Sequence, residues 1–216
     1  MSTTTFTSTP AGTWAADSVH SHVGFEIDYA GTNVFRGGFN DYGVTLTDGV
    51  LEGSAQVASV DVKDEQLNGH LQTPDFFDGE RFPEITFRTS DLETGELTIK
   101  GVTRPVKIEA TVSESNVDPF GRERVGIKLA ATVDRNEYDV SWNAPNQGGG
   151  NYLGDDVTIT ADLELDALRR GLGGGSQEAR VERAVPQAAG NAEDPHRYAA
   201  CLTSARSAVI VTSSPR

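Results

Sequence analysis

The sequence predicts an all-β domain of about eight antiparallel strands with a short helix and loop over one end, and three observations lead there. Runs of residues between positions 19 and 165 alternate apolar and polar with a period of two, which puts one face of each strand on a core and the other in water. Turn sequences rich in Gly, Asp and Asn separate the runs at hairpin spacing. One stretch, residues 63–82, drops the alternation and gathers aromatic residues. Strands joined this way build either a sandwich or an up-and-down barrel.

Residues 19–29 place Val23, Phe25, Ile27 and Tyr29 on one side, with His22, Glu26 and Asp28 opposite. Ala30-Gly31-Thr32-Asn33 and Thr47-Asp48-Gly49 read as turns. Between residues 50 and 62 the apolar phase shifts from Ala55 and Val57 to Val60 and Val62, which predicts a bulge near Ala58 or Ser59 and a bent strand. In residues 63–82 Asp64 is placed to cap a short helix, and Pro74 and Pro83 bracket Phe76, Phe77 and Phe82. Alternation then resumes in Ile85/Phe87, Leu97/Ile99, Val106/Ile108/Ala110/Val112, Val125/Ile127/Leu129/Ala131/Val133 and Val157/Ile159/Ala161/Leu163/Leu165. Turns fall at Glu93-Thr94-Gly95, Lys100-Gly101 and Asp118-Pro119-Phe120-Gly121. Small inward residues, Ala110, Ala131 and Ala161, stand among large ones and favour an interior with room for one small ligand.

Three regions follow: residues 1–12 as a flexible N-terminal segment, 13–167 as the β domain, and 168–216 as a Gly/Ala/Arg-rich tail expected to be disordered. The formal net charge of -14 opposes binding to nucleic acid or to an anionic bilayer. Residues 169–216 hold 7 Arg against 4 acidic residues, so the β domain carries the excess of negative charge. Cys201, the only cysteine, cannot close an intramolecular disulfide. The N-terminus lacks the basic and apolar regions of a secretory signal, and no run reaches the ~18 apolar residues of a membrane span. A cytoplasmic location is the expectation, with the oligomeric state, a homodimer included, left open.

The residue types that carry chemistry point away from an enzyme. His20 and His22 share one face of a strand and with His70 would make a three-histidine metal site, but that face is the polar one. The sequence favours instead a hydrogen bond from His20 to backbone or to the loop around Asp75 and Asp78. Asp75, Asp78, Glu80 and Glu84 would serve acid/base work only with partners that the sequence does not supply. It holds no Gly-x-Ser-x-Gly elbow or His-Glu-x-x-His, and no helix with a Lys follows Gly148-Gly149-Gly150. Arg81, Arg88 and Arg104 are candidates to meet a pyrophosphate, although lone surface arginines are commoner. No metal and no cofactor is expected.

The motifs, taken in order, resemble those of the YceI family. The opening Trp14-Ala-Ala-Asp-Ser-Val-His20-Ser21-His22-Val-Gly-Phe25 is followed by Val34-Phe35-Arg36-Gly37-Gly38-Phe39. The most distinctive match is Gly69-His70-Leu71-Gln-Thr-Pro-Asp75-Phe76-Phe77-Asp78-Gly-Glu-Arg-Phe82-Pro83-Glu-Ile85-Thr86-Phe87. Leu97-Thr98-Ile99-Lys100-Gly101-Val102-Thr103-Arg104-Pro105-Val106, Asp134-Arg135-Asn136, Val140-Ser-Trp142-Asn143 and Leu153-Gly154-Asp155-Asp156-Val157 follow in family order. The resemblance runs from about Trp14 to Ala167 and departs at Tyr29, where relatives often carry His.

What the resemblance implies is an eight-stranded antiparallel up-and-down β-barrel, lipocalin-like, whose apolar lumen binds a long isoprenoid lipid such as a quinone or prenyl phosphate for carriage, storage or sequestration. The expected lining is then Phe25, Ile27, Phe35 and Phe39 from the first hairpin, Phe87 and Ile99 from the middle strands, and Ile108, Ile127, Leu129, Ile159 and Leu163 from the last. Phe76, Phe77 and Phe82 would stand at the mouth, with His70 anchoring the aromatic loop or meeting a head group. Against this stands a filled core in a stress-related or interaction barrel without a lipid, because a strand's inward face looks alike in both.

Overall fold

The computed structural model describes residues 9–168; the tail, Cys201 and the first eight residues lie outside them. Among the described residues the sheet has thirteen strands, not eight: the alternating runs at 50–62 and 106–112 are each cut in two, and strands also form outside the runs, at 13–16, 33–39, 42–47 and 116–117. First come β1 (Thr13–Ala16) and β2 (His22–Tyr29). Between them Asp17 Oδ1 accepts from Val19 N at 2.9 Å. β3 (Asn33–Phe39) and β4 (Tyr42–Thr47) follow, then β5 (Val50–Gln56) and β6 (Val60–Asp61). Where a bulge is predicted, β5 and β6 are separated by a 3-10 turn, Val57–Ser59, with Ser59 Oγ donating to Gln56 O at 2.7 Å.

The helix α1 (Glu65–Leu71) follows, and Asp64 caps it as predicted, its Oδ1 accepting from Leu67 N at 2.9 Å. Next come β7 (Glu84–Thr89), β8 (Thr94–Ile99), β9 (Val102–Lys107), β10 (Glu109–Val112) and β11 (Asn116–Val117). The β7–β8 turn precedes the predicted Glu93-Thr94-Gly95, since Thr94 and Gly95 are already in β8; the Asp91 carboxylate fixes it by accepting from Glu93 N and Thr94 N. The long β12 (Glu123–Asp134) and β13 (Leu153–Ala167) finish the sheet, with a short 3-10 turn, Arg135–Tyr138, after β12.

All pairings are antiparallel. The ladders run from β13 through β1, β4, β5, β7 and β8 to β9. β9 and β10 are consecutive, broken only at Ile108, and β10 pairs β12, which pairs β13 again over eleven register positions. β2, β3 and β6 extend the same sheet from the other half of β13.

Two apolar clusters occupy opposite ends of β12 and β13. One holds Trp14, Leu46, Leu51, Val125, Ile127 and Leu165. The other holds Phe39, Val60, Leu71, Phe76, Ile99, Val133 and Tyr138, with α1 and the following loop packed over it. Outside the first cluster Arg124 pairs with Asp17, Asp118, Glu164 and Asp166, tying the turn between β1 and β2 to β13 and to the turn before β12. The Arg135 side chain, buried at 5% exposure, donates to Gly154 O, Val140 O and Trp142 O and so pins the connection between β12 and β13.

Candidate ligand-binding site

Between the two clusters the inward face changes character. Along β12, Val125 and Ile127 are buried, Leu129 and Ala131 are half-buried, and Val133 is buried again. In β13 Leu163 and Leu165 are buried while Val157, Ile159 and Ala161 are not, and Ile85 and Phe87 in β7 behave likewise. Inward side chains that keep accessible surface at one level, with packed ones at both ends, mark a hollow.

That hollow has a volume of about 100 Å³. Its lining is apolar apart from Ser54 and Thr160, and holds no charged side chain. Two aromatic rings explain why space remains. A Cβ at Gly95 would lie 2.7 Å from Phe87 Cε2, so the Phe87 ring lies down on β8. A Cβ at Gly37 would lie 2.4 Å from Phe25 Cζ and 2.7 Å from Val62 Cγ1, so Phe25 lies against β3.

Of the residues expected to line a lumen, Phe87, Ile108, Leu129, Ile159 and Leu163 do border the hollow. Phe25, Phe35, Phe39, Ile99, Phe76 and Phe77 are instead part of the cluster under the helix or packed on it. Phe25 meets Phe39 at a 6.0 Å ring separation, and Phe39 meets Phe77 at 6.0 Å. Ile127 is fully buried in the opposite cluster, and Ile27 is buried beside its pairing partners Phe35 and Val157. Phe82 rests on the Lys100-Gly101 turn, since a Cβ at Gly101 would lie 2.6 Å from its Cε1. Of the small inward residues, Ala131 and Ala161 border the hollow while Ala110 packs on the Trp14 cluster.

The expected lining left out Val44, Leu51, Gly53 and Ala55, and also Val23, Ile85, Leu97 and Val106, which the alternation places on the core face; all of them border the hollow. The signal available was the pair of small residues at inward positions of β5, Gly53 and Ala55.

The histidines take separate partners. His20 Nδ1 meets Asp17 Oδ2 at 2.9 Å, neither backbone nor the Asp75 loop as the sequence favours, because the turn at 17–20 brings the two side chains together. His22 lies over the buried glycines, its Nε2 2.8 Å from where a Gly24 Cβ would stand. His70 Nε2 meets Asp75 Oδ2 at 3.2 Å, and its ring packs edge-on to Phe76 and Trp142, each at 5.0 Å. Among the described residues no group of three or more His, Cys, Asp or Glu is placed to hold a metal ion, and no helix is long and apolar enough to cross a membrane. Arg81 pairs with Asp78 and Arg88 with Glu52, and Arg104 donates to Glu137 O.

Comparison with known proteins gives a consistent family. Residues 14–165 match the model of the YceI-like domain. A UPF0312 protein of Staphylococcus aureus (strain USA300) is 29% identical over 161 residues, covering 69% of this chain and 94% of that protein. A polyisoprenoid binding domain from Saccharophagus degradans superposes with a TM-score of 0.59 at 13% identity, covering 72% of this chain and 98% of that one. BcnA of Burkholderia cenocepacia gives 0.56 at 20% identity, over 69% and 98%. At these identities the solved structures establish a common fold.

Proposed function

Because the chain belongs to the YceI-like family, we propose that it is a non-enzymatic binding protein that takes the hydrocarbon chain of an isoprenoid lipid, a quinone or prenyl phosphate, into the interior of a barrel. The observation that carries this reading is the apolar hollow between two packed ends. A charge-free wall binds hydrocarbon through area alone, at about 0.8 kcal/mol per buried methylene. No catalytic group is needed. The polyisoprenoid binding domain of Saccharophagus degradans shares the fold, which supports the same ligand class here. Sequestration or storage in the cytoplasm is the physiological role we attach to it.

Volume sets a condition on the proposal. A hollow of about 100 Å³ is below the roughly 300–1,000 Å³ of ordinary ligand pockets. A chain of several isoprene units therefore requires the half-buried inward side chains to move apart. The same small volume favours a second reading, a barrel that binds no lipid and meets its partners on the outside.

Mass spectrometry of the intact protein purified from its own host, with organic extraction of the same sample, decides between them. The lipid reading expects a prenyl-chain compound at near one per protein. A protein that emerges empty and also fails to take up added decylubiquinone refutes it in favour of the second reading.

A further inference from the structure

The segment over the aromatic cluster that borders the hollow, residues 64–82, is hydrogen-bonded largely to itself. Phe77 N donates to Leu71 O at 3.0 Å, Asp78 N to Thr73 O at 2.9 Å, Gly79 N to Gln72 O at 2.9 Å and Phe82 N to Asp78 O at 2.8 Å. A unit closed on itself keeps its shape when displaced. Near its two ends it is tied to the residues flanking β6, by Val62 N donating to Asn68 Oδ1 at 2.8 Å and Val57 N donating to Pro83 O at 2.9 Å.

Its middle is fastened from elsewhere. Lys100 Nζ donates to Pro74 O at 2.7 Å and to Asp139 O at 2.8 Å. Lys100 and Gly101 form the two-residue tip between β8 and β9, at φ +51° and +76°, the geometry of a tight hairpin turn that fixes where the side chain starts. One ammonium thus joins the hairpin, the covering segment and the connection that carries Trp142. At the other side of that junction the Phe76 and Trp142 rings meet at 5.3 Å. Leu71 and Phe76 supply an apolar hold, which is non-directional. The lysine supplies a directional one.

We propose that Lys100 is the latch of this cover, and that release of its two carbonyl bonds is the step by which a long apolar molecule enters and leaves the hollow. The proposal rests on the ligand reading above, since a hollow of about 100 Å³ must open to admit such a chain. The strands are held by continuous ladders, whereas the cover can swing on its ends once Pro74 is freed. Lys100 does not border the hollow and so acts as a positioning residue, through the cover. It should set exchange rates and leave affinity nearly untouched.

The test compares the full chain with Lys100→Met and Lys100→Arg by stopped-flow quenching of tryptophan fluorescence on mixing with decylubiquinone. Losing hydrogen bonds from a charged donor predicts association and dissociation both roughly tenfold faster in Lys100→Met. The dissociation constant should change by less than about twofold, and Lys100→Arg should restore slow exchange, since a guanidinium also donates to carbonyls. Unchanged rates overturn the latch. If the wild-type chain ignores decylubiquinone, the lipid reading is what fails, and amide hydrogen exchange still decides the latch. Faster exchange in residues 65–82 of Lys100→Met, with the strands unaltered, supports it; an unaltered cover overturns it. Should Lys100→Met not fold, Lys100→Ala carries the same two comparisons.

Discussion

Filling the hollow should stabilise the empty protein and abolish uptake of lipid. Ala131 on β12 borders the hollow and pairs with Ile159, so Ala131→Leu grows into free space. An unfilled cavity costs about 24 cal/mol per Å³, so one of about 100 Å³ costs about 2.4 kcal/mol, and a leucine that occupies much of it recovers about 1–2 kcal/mol. For a domain of this size that is a rise in thermal midpoint of roughly 2–8 °C. Ala110 is the control: it packs on the Trp14 cluster, and Ala110→Leu should cost about 1–3 kcal/mol by overpacking. Thermal and urea unfolding of delipidated protein, with decylubiquinone titration of the same samples, reads both effects. If Ala131→Leu is destabilised as much as Ala110→Leu, the interior is solid and the hollow does not exist in solution. If it is stabilised yet binds as before, the ligand goes elsewhere.

Gly95→Ala puts a methyl where Phe87 Cε2 lies 2.7 Å away, so the ring must rise into the hollow; uptake should fall with little loss of strand signal in far-ultraviolet circular dichroism, and unaltered uptake would contradict the flat-ring account. Arg124→Met leaves Asp17, Asp118, Glu164 and Asp166 facing one another, so the thermal midpoint should drop, and drop further at 10 mM than at 1 M salt, roughly the range over which screening shortens from 30 Å to 3 Å. In acid, the bond from His20 and the Val19 amide hold the Asp17 carboxyl below its ordinary 3.8, and the Arg122 and Phe120 amides do the same for Asp118. Their stabilising contribution is complete above that value and is lost as pH falls through the lowered ones. Unfolding free energy measured from pH 5 down to 2 should decline, with a shallower slope in Asp118→Asn; identical slopes would remove Asp118 from the account.

The long runs were legible because burial acts on every second residue. Residues 125–133 and 157–165 alternate in the sequence and supply nine of the eleven positions at which β12 and β13 pair, and Asp64 announced its helix through the polar oxygen that a helix start needs. The breaks were less visible. At Ile108 the alternation of Val106, Ile108 and Ala110 continues unbroken; what changes is the partner strand, β8 before it and β12 after it, with Ile108 N turning to Glu93 O at 2.9 Å. A change of partner leaves no mark on local periodicity. At Val57–Ser59 the phase shift was visible, but a bulge and a 3-10 turn shift the phase alike.

Of the large residues expected to line a lumen five border the hollow, with Ala131 and Ala161 beside them, but inward parity could not say at which level the interior is empty. That depends on register. β12 and β13 set Ala131 opposite Ile159 and Ala161 opposite Leu129, so each small residue lies beside a large one, and Gly53 of β5 faces Phe87 of β7 at the same level. Alternation of large and small across paired strands would fill the space if the large side chains stood upright. Phe87 does not, because Gly95 on the neighbouring strand offers it bare backbone to lie on, as Gly37 does for Phe25 in the adjoining cluster. An aromatic residue of this sheet is therefore a poor guide to the lining unless the residues opposite and diagonal to it on the next strand are known. Glycine on the adjacent strand draws a ring down against the wall, and the space above it, bordered by Ala131 and Ala161, is what remains for a ligand.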